Sequence, residues 1–411
     1  MIRLRSRWVN PFPIPLVSAL SSENVAAWLG VVSLYHLSMK ILHVYKDFDP
    51  PVRGGMERHI ALMCRFQRQW ADVEALTCSR QLWTRRAERD GTRVLEAGEW
   101  GRFQSAPLSP LFPYYLRRLA ADVVVVHVPN PTAELGCLLG RPRGRVVVRY
   151  HSDVVRQASA MRIYGPFLMH FLRKAAMIVP TSEQYVQTSP TLQAVLSGGG
   201  RGVAPPVRVA PLGILVEEFA EPDAGRVAGL RERYGGGYVL FSGRHRYYKG
   251  LPNLIRAARL INAPLVVAGD GPERPAAESL AAELGARVFF PGELSQPDLV
   301  AHLHGCEVFA FPSVARSEAF GLSILEAHAC GKPVVATRLG TGVEYANLDG
   351  QTGYNVEPGN PGALAEAINA LLADGPLRRR LGEFARERVK AEFTAERAAR
   401  AEFELFQEAL R

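Results

Sequence analysis

Two glutamates frame a predicted turn before a helix in the segment SEAFGLSILE. Glu318 precedes the turn, and Glu326 follows within the helical pattern. Gly321 lets a ligand approach the backbone closely, and the amides around it are expected to be free first-turn donors. Such a helix start attracts a phosphate or sugar oxygen, so the two carboxylates are candidates for holding two parts of an elongated ligand. The other interpretation is an ordinary helix with an acid near its amino terminus.

A basic loop follows the end of a predicted strand in the segment FSGRHRYYKG. Arg244 and Lys249 lie on this loop, ahead of a predicted helix. Arginine forks around phosphate oxygens and lysine adds a point charge, so the pair suits a diphosphate leaving group. A solvated basic loop is the alternative. We favour the diphosphate interpretation because this loop and the Glu318 turn both follow strands of the same predicted domain.

A glycine pair, Gly54 and Gly55, opens a predicted helix after the first strand. Paired glycines at a helix start bring backbone amides to an anion. The segment has neither G-x-G-x-x-G spacing nor a Walker lysine, so it indicates neither a dinucleotide-binding fold nor a kinase. A flexible turn is the alternative interpretation.

Two histidines end predicted strands of the first half, His127 in VHVPN and His151 in YHSD. We expect both to face a cleft, where they can contact sugar hydroxyls or an acceptor. Asp153 can orient His151 or contact the acceptor itself. A histidine at a strand end is also a common packing residue. The pair His302 and His304 has no further ligands in the pattern, so we predict surface residues and no metal site.

The elements that must position these residues alternate along the chain, which predicts parallel sheets wrapped by helices. Strands are predicted at 40–45, 73–78, 92–96, 123–128, 146–150, 178–181, 207–210, 238–242, 265–268, 288–290, 308–311 and 333–337. Helices are predicted at 57–70, 161–175, 183–196, 251–261, 273–284, 296–304, 322–330, 361–373 and 376–411. The fold class is therefore α/β, with two open sheets whose carboxyl strand ends face one cleft.

The domain organisation follows from the same pattern. We predict a Rossmann-like domain at 39–215 and a second one at 216–390. A final helix at 391–411 is expected to pack back on the first domain. Residues 1–38 are interpreted as a disordered leader or an upstream start, with a membrane-surface anchor as the alternative.

Charge and cysteine usage restrict the environment. Lysine and arginine number 49 against 40 acids, and eight arginines fall between residues 80 and 118. These arginines are interleaved with aromatic residues: Arg80, Arg85, Arg86, Arg89, Arg93, Arg102, Arg117 and Arg118, with Trp83, Trp100, Phe103, Phe112, Tyr114 and Tyr115. The mixture suits an anionic membrane or a lipid diphosphate, and a solvated basic surface is the alternative. No nucleic-acid motif is present. Five scattered cysteines without C-x-x-C spacing indicate a reducing compartment.

The motifs together resemble those of the retaining nucleotide-sugar glycosyltransferases of family 4, which have the GT-B fold of two Rossmann-like domains facing a central cleft. The resemblance covers Met39 to about Phe406. Three motifs carry it: Glu318 with Glu326, Arg244 with Lys249, and Gly54 with Gly55.

The resemblance implies roles for individual residues in donor binding. Glu318 would hold donor-sugar hydroxyls together with the backbone of Phe320, Gly321 and Leu322. Glu326 would hold the ribose.

The same resemblance implies that Arg244 and Lys249 take the diphosphate, and that His127 is the active-site histidine near the donor sugar and acceptor. His151 and Asp153 are acceptor-side candidates. No covalent cofactor or metal is implied.

A narrower likeness rests on LHVYK, GGMERHI, YHSDVVRQ, RYYKGL and RSEAFGLSILE, which look like bacterial O-antigen mannosyltransferases that use GDP-mannose. This implies transfer of α-mannose to a polyprenyl-diphosphate-linked glycan by a peripheral protein at the cytoplasmic face of the inner membrane. A UDP-hexose donor would need the same phosphate and ribose contacts, so the base stays open. A non-catalytic sugar-nucleotide-binding protein is a further alternative.

Overall fold

The computed structural model describes residues 39–52, 54–103, 106–154, 158–198 and 203–411. The leader predicted for residues 1–38 lies outside these described residues. Within them the chain forms two large sheets, each covered by helices, which confirms the predicted α/β class. We call the part built on the first sheet the N-terminal lobe and the part built on the second the C-terminal lobe.

The N-terminal sheet has seven strands in the order β3-β4-β2-β1-β7-β8-β9, and only the β3–β4 pair is antiparallel. A separate two-stranded ribbon pairs β5 with β6. The strands are β1 Lys40–Val44, β2 Asp72–Cys78, β3 Arg85–Arg89, β4 Thr92–Ala97, β5 Arg102–Phe103, β6 Ala106–Pro107, β7 Val123–Val128, β8 Arg145–Tyr150 and β9 Met177–Pro180. Central β7 reads VVVVHV and is buried throughout, as expected of a parallel strand covered on both faces.

Six helices belong to this lobe in the described residues: α1 Gly55–Gln67, α2 Phe112–Arg118, α3 Pro131–Gly140, α4 Ala158–Arg173, α5 Glu183–Thr188 and α6 Pro190–Leu196. The single helix predicted at 183–196 is wrong. Ser189 is extended before Pro190, because proline disfavours a helical conformation in the preceding residue, and its side chain caps α6.

The C-terminal sheet has six parallel strands in the order β12-β11-β10-β13-β14-β15. They are β10 Val239–Ser242, β11 Leu265–Ala268, β12 Val288–Gly292, β13 Val308–Phe311, β14 Val334–Thr337 and β15 Gly353–Val356. The helices of this half are α7 Ala224–Tyr234, α8 Leu251–Ala258, α9 Arg274–Glu283, α10 Gln296–Gly305, α11 Leu322–Ala329, α12 Val343–Ala346, α13 Pro361–Ala373 and α14 Gly375–Glu392. Short 3-10 turns occupy Val216–Phe219 and Tyr247–Lys249.

The last helix, α15 (Ala395–Leu410), packs on the N-terminal lobe against α1 and β8. Phe403 and Phe406 join the apolar cluster that includes Ile41 of β1. The helix predicted at 376–411 therefore breaks in two, because Thr394 interrupts it and caps α15 by accepting a hydrogen bond from the Arg397 amide.

Two further differences concern strands. The strand predicted at 207–210 is reduced to a single bridge between Val207 and Ile178. Strands β3 and β15 were not predicted, because RRAER and GYNV lack the apolar runs on which the prediction depends. Among the described residues, no helix has the length and apolar character needed to cross a bilayer.

Candidate active site

The loops after the strands of the two lobes face each other. Arg58, on α1, pairs with Glu218 and donates to Gln296 Oε1 at 3.4 Å. The Tyr185 hydroxyl donates to the Arg316 carbonyl at 3.4 Å, so a second bond joins the lobes further along the same edge. Polar bonds therefore join the lobes at two places.

Lys249 and Glu318 form the centre of the C-terminal half of this interface. Lys249 Nζ lies 2.6 Å from Glu318 Oε2, and Ser313 Oγ donates to the same oxygen at 3.1 Å. The ammonium also lies over the Phe311 ring, 4.8 Å from its centroid. Burial lowers the pKa of Lys249, but Glu318, Tyr248 and Glu326 together raise it by more, so the lysine stays charged. The structure thus brings together two residues that are 69 positions apart in the sequence.

The loop that carries Lys249 is held by the turn that carries Glu318. The Val314 amide donates to the Tyr248 carbonyl at 2.7 Å, and the Tyr247 hydroxyl lies 3.0 Å from Ser317 Oγ. Gly250 has φ +68° and packs directly on the Pro312 carbonyl, so a β-carbon there would overlap with that oxygen. The position of Lys249 is therefore set by backbone contacts.

The other two charged residues of the predicted set differ in exposure. Arg244 begins the same loop, is exposed, and has no ion-pair partner in the part of the chain that is described. Glu326, on α11, is half-buried. Burial raises the pKa of Glu326, while the charges of Arg58 and Lys249 oppose the shift. Glu326 thus lies within electrostatic reach of both the opposite lobe and the basic loop.

The amino-terminal ends of two helices meet across the interface. Gly321 has φ +89° ahead of α11, and a β-carbon there would lie 2.9 Å from both Phe311 and Ile324. A β-carbon on Gly55, at the start of α1, would lie 3.3 Å from Leu322 Cδ1. The Phe320 side chain is buried below this turn. Two helix dipoles that point at one place favour an anion there.

Glu57 occupies part of this anion site from the N-terminal lobe. It is the third residue of α1, and its carboxylate folds back so closely that a β-carbon on Gly54 would overlap with it. Burial raises the pKa of Glu57 above its ordinary value. A phosphate bound at the start of α1 would have to displace or protonate this carboxylate.

The structure corrects the expectation that His127 and His151 open into the cleft. His127 is fully buried: its Nε2 lies 3.0 Å from His43 Nδ1, and its Nδ1 lies 2.9 Å from His151 Nε2. His43 Nε2 in turn lies 2.8 Å from Gln67 Oε1. His127 is therefore the middle of a buried chain, because β1, β7 and β8 are neighbours and their histidines share one face.

The chain fixes the ring protons. Burial lowers the pKa of His43, His127 and His151, so each is neutral and carries one N–H. With the Gln67 carboxamide oxygen accepting from His43 Nε2, His43 Nδ1 accepts from His127 Nε2, and His127 Nδ1 accepts from His151 Nε2. The Nδ1 lone pair of His151 is left without a partner among the described residues.

Asp153 is positioned by its own lobe and contacts the other. Its Oδ1 accepts from Tyr150 at 2.8 Å and from Ser189 at 2.6 Å, while Oδ2 lies 3.5 Å from Arg316 Nη2 of the C-terminal lobe. The predicted role in orienting His151 is wrong, because within the described residues Asp153 contacts Tyr150, Ser189, Tyr185 and Arg316 and makes no hydrogen bond to His151. Asp153 instead bridges the lobes.

Comparison with known proteins identifies the family. The profile described as "Glycosyl transferases group 1" matches residues 229–388, and the "Glycosyl transferase 4-like domain" matches residues 54–195. The O-antigen chain mannosyltransferase C of Escherichia coli is 33% identical over 362 residues, which are 87% of this chain and 95% of that protein.

The chain belongs to the group 1 glycosyltransferases.

A second relative of this glycosyltransferase is as similar as the first. The D-rhamnosyltransferase WbpZ of Pseudomonas aeruginosa is 34% identical over 361 residues, covering 87% of this chain and 93% of the relative. Among solved structures, the sucrose-phosphate synthase of Thermosynechococcus elongatus superposes with a TM-score of 0.74 at 24% identity, covering 90% of this chain and 98% of the other. The fold of the glycosyltransferase is GT-B, as the motifs indicated.

Several residues of the glycosyltransferase site were not found from its sequence. In the sequence, Glu57, Gln67 and Arg316 look like ordinary helix or loop residues, and the one available signal was a carboxylate two positions after a glycine pair. The histidines of α10 were also misjudged. His302 is buried against the Tyr234 hydroxyl at 3.1 Å, and His304 Nε2 lies 2.8 Å from the Phe219 carbonyl.

Proposed function

We propose that this glycosyltransferase transfers α-mannose with retention from GDP-mannose to a lipid-linked glycan in the synthesis of a bacterial surface polysaccharide. The observation that carries the proposal is the convergence of Lys249 and Glu318 at the start of α11, opposite the start of α1. Cationic and backbone donors there suit a diphosphate, and a carboxylate beside them suits sugar hydroxyls. The name of the Escherichia coli relative supports mannose and an O-antigen product.

In the proposed donor complex, Lys249 leaves Glu318 for the diphosphate, together with Arg244 and the backbone of Gly54 and Gly55. Glu318 then accepts hydrogen bonds from hydroxyls of the mannose. This exchange costs little, because the lysine replaces one anionic partner with another.

The remaining donor contacts follow the same arrangement. The backbone of Phe320, Gly321 and Leu322 faces the sugar and phosphate, and Glu326 binds the ribose. The two helix ends add donors where the leaving group gains charge, which stabilises the transition state more than the ground state.

Transfer is proposed to proceed on one face of the sugar. The bond from C1 to the phosphate oxygen breaks as the acceptor hydroxyl bonds to C1, and the acceptor proton moves to the leaving phosphate, which departs as GDP. His127 remains the proposed active-site histidine. Its ring nitrogens are engaged by His43 and His151 in this structure, so ligand contact requires that the His151 ring turn away.

The proposed acceptor is a polyprenyl-diphosphate-linked glycan, reached by a protein bound peripherally at the cytoplasmic face of the inner membrane. His151 and Asp153 lie on the acceptor side of the cleft in this proposal. No metal is proposed, because Arg244, Lys249 and the helix ends supply the positive charge that a diphosphate needs. Treatment with EDTA should therefore leave the rate unchanged, and recovery only with added Mg²⁺ would contradict this.

A donor screen tests the proposal. Purified protein would be incubated with GDP-mannose, GDP-rhamnose, UDP-glucose and UDP-galactose, with and without a polyprenyl-diphosphate glycan, and scored by nucleotide release and by product mass. We expect release from GDP-mannose and an acceptor extended by one or more hexoses. Transfer of rhamnose alone is the second candidate, favoured by the equally similar rhamnosyltransferase. No turnover of any donor would reject both.

A further inference from the structure

A cluster of exposed apolar side chains lies on the N-terminal lobe, and the reaction proposed above leaves it unexplained. Of the sixteen most exposed large apolar residues in the described part of the chain, seven fall between residues 82 and 114. We call these seven the rim surface: Leu82, Trp83, Trp100, Phe103, Leu108, Leu111 and Tyr114. Trp83 is 62% exposed and Trp100 73%. Exposure of this much aromatic surface marks an interaction site.

The rim surface is continuous. The turn with Leu82 and Trp83 is joined to the segment with Trp100 by the Glu99 amide, which donates to the Gln81 carbonyl at 2.7 Å. The Trp100 amide donates to the Leu108 carbonyl at 2.8 Å, which closes the ribbon that carries Phe103. These backbone bonds connect the segments that carry Leu82 and Trp83, Trp100 and Phe103, and Leu108.

The rim surface is also held rigidly. Arg102 forms a two-pronged ion pair with Asp47, with both N–O distances at 2.9 Å, and also pairs with Glu99 at 2.9 Å. Ser109 Oγ donates to the Gly98 carbonyl at 2.7 Å. Because these bonds anchor Glu99, Arg102 and Ser109, the exposure of the neighbouring Trp100 and Phe103 is a feature of the fold.

Three acids beneath the rim surface are buried and paired, while two nearby arginines are exposed. The acids Asp47, Glu96 and Glu99 are buried beneath it, where arginines neutralise them. Arg117 and Arg118 are exposed on α2, beside Tyr114, and the Arg118 guanidinium lies 5.6 Å from the Tyr114 ring centroid. The two arginines add exposed positive charge next to the Tyr114 part of the rim surface, which is complementary to an anionic lipid surface.

The rim surface lies at the same edge of the N-terminal sheet as the cleft. Its loops follow the carboxyl ends of β2 and β4, and its anchor Asp47 follows β1. This is the edge of the sheet at which His127 and His151 end β7 and β8. A lipid-linked glycan lying in a bilayer against the rim surface would thus enter the acceptor side of the site.

We propose that the rim surface docks on an anionic bilayer by inserting Trp83, Trp100 and Phe103 at the headgroup level, with Arg117 and Arg118 contacting anionic lipids. The inference rests on the proposed function for its purpose, a lipid-linked acceptor. A second protein chain is the competing occupant, and it is an outcome of the test.

The test uses full-length protein and sedimentation with phosphatidylcholine vesicles that contain or lack phosphatidylglycerol. A triple variant, Trp83→Ser, Trp100→Ser and Phe103→Ser, is compared with a control triple, Leu139→Ser, Leu260→Ser and Phe384→Ser, which removes exposed apolar residues elsewhere. We expect the rim triple to bind anionic vesicles at least about tenfold more weakly, and the control to bind like the parent. Arg117→Gln with Arg118→Gln should abolish the preference for phosphatidylglycerol.

Donor turnover separates this inference from the proposed function. Nucleotide release in detergent-free buffer without vesicles should be equal in the parent and the rim triple, because the substituted residues lie outside the donor site. Loss of vesicle binding with normal release supports the rim surface. Equal vesicle binding by the parent and the rim triple overturns it. The proposal is also overturned if the parent does not bind vesicles and instead forms, in sedimentation velocity, a dimer that the rim triple does not form. Absence of release in every protein contradicts the proposed function alone.

Discussion

At the residue scale, two places of the candidate site are already occupied by charged side chains of the protein itself. Lys249 is paired with Glu318, and Glu57 covers the start of α1. A nucleotide sugar offers a replacement for each of these contacts. Its phosphate can take the place of the acid beside Lys249, and its hydroxyls can take the place of the lysine beside Glu318. This arrangement therefore keeps a largely buried lysine charged at the place where the leaving group of the proposed reaction needs it.

Arg244 and Lys249 should respond differently to substitution. Arg244→Gln removes an exposed, unpaired charge, so turnover should fall by about 100-fold while the melting temperature stays the same. Lys249→Met leaves the Glu318 carboxylate without its partner, so both turnover and melting temperature should fall. Arg256→Gln, an exposed arginine on α8, is the control. Nucleotide release and thermal unfolding measure the two effects, and normal turnover in both variants would remove the loop from the site.

The histidine chain makes a prediction about protons. In the parent, nitrogen-15 chemical shifts should show His127 protonated at Nε2 alone, because Gln67 orients His43 and His43 orients His127. Gln67→Leu removes the end of the chain and should give a mixture of tautomers. An unchanged His127 tautomer in that variant would show that Gln67 does not set it.

Sequence reasoning found the donor residues better than the histidine network. Arg244, Lys249, Glu318 and Gly321 sit in short local patterns, where residue type and spacing already express the chemistry. The contact between His127 and His43 depends on which strands are neighbours in the sheet, and 84 positions separate the two residues. Whether His127 is buried depends on the folded lobe. No local sequence pattern could therefore correct the expectation that it faces the cleft.

At the element scale, α15 contributes a buried carboxylate to the interior of the N-terminal lobe. Glu402 is fully buried and lies 2.7 Å from Arg149 Nε and 3.3 Å from His59 Nε2. Burial raises the pKa of Glu402, but Arg149 and His59 lower it by more, so it is ionised. The helix is thereby attached to β8 by charge as well as by its phenylalanines.

Replacing only one partner of the Glu402–Arg149 pair should lower the stability of the fold strongly, whereas replacing both partners should lower it little. Glu402→Leu leaves Arg149 buried without an acid and should lower the free energy of unfolding by about 3–5 kcal/mol. Arg149→Met in the same protein should recover most of that loss, because no buried charge remains. Urea unfolding of the parent, both single variants and the double variant measures the pair, and additive losses in the double variant would contradict the argument.

Helix α3 contains a buried carboxyl group that is protonated, unlike the ionised Glu402. Glu134 is buried, and burial raises its pKa to about 8, although its Oε1 accepts from the Asn130 amide at 2.6 Å. A raised carboxyl pKa stabilises the fold below the ordinary value near 4.5, and this contribution is lost as pH rises through 8. In the window between, parent stability should fall relative to Glu134→Gln by up to about 1.4 kcal/mol per pH unit. Parallel stability curves for the two proteins would refute the neutral carboxyl.

At the scale of the whole molecule, a few polar contacts hold the lobes together. They include Arg58 with Glu218 and Arg316 with Asp153. Partly exposed pairs contribute about 0–1 kcal/mol each, so the closed arrangement depends on a small free energy. A ligand that bridges the lobes can easily change the balance between open and closed forms.

Loss of these contacts should open the molecule. Arg58→Ala with Arg316→Ala should raise the radius of gyration in small-angle scattering and weaken donor binding by up to about tenfold. Arg226→Ala with Arg338→Ala removes exposed pairs that lie within one lobe and should change neither quantity. Identical scattering from both double variants and the parent would show that other contacts hold the lobes.

The architecture as a whole was readable from the sequence because parallel strands buried on both faces leave apolar runs that alternate with helical patterns. Strands such as Val123–Val128 and Val308–Phe311 were predicted with their observed bounds. Edge strand Arg85–Arg89 was not predicted. It pairs only with β4, and its exposed side needs no apolar residue, so its sequence lacks an apolar run.

The path of α15 has a consequence for synthesis on the ribosome. The N-terminal lobe is made first, yet Phe403, Phe406 and Glu402 complete its interior from more than 200 residues further along the chain. Until those residues emerge, Arg149 and the apolar surface beside β1 stay open to water and to chaperones. Although its sheet comes from contiguous sequence, this lobe therefore reaches its native state only after the second lobe has been translated.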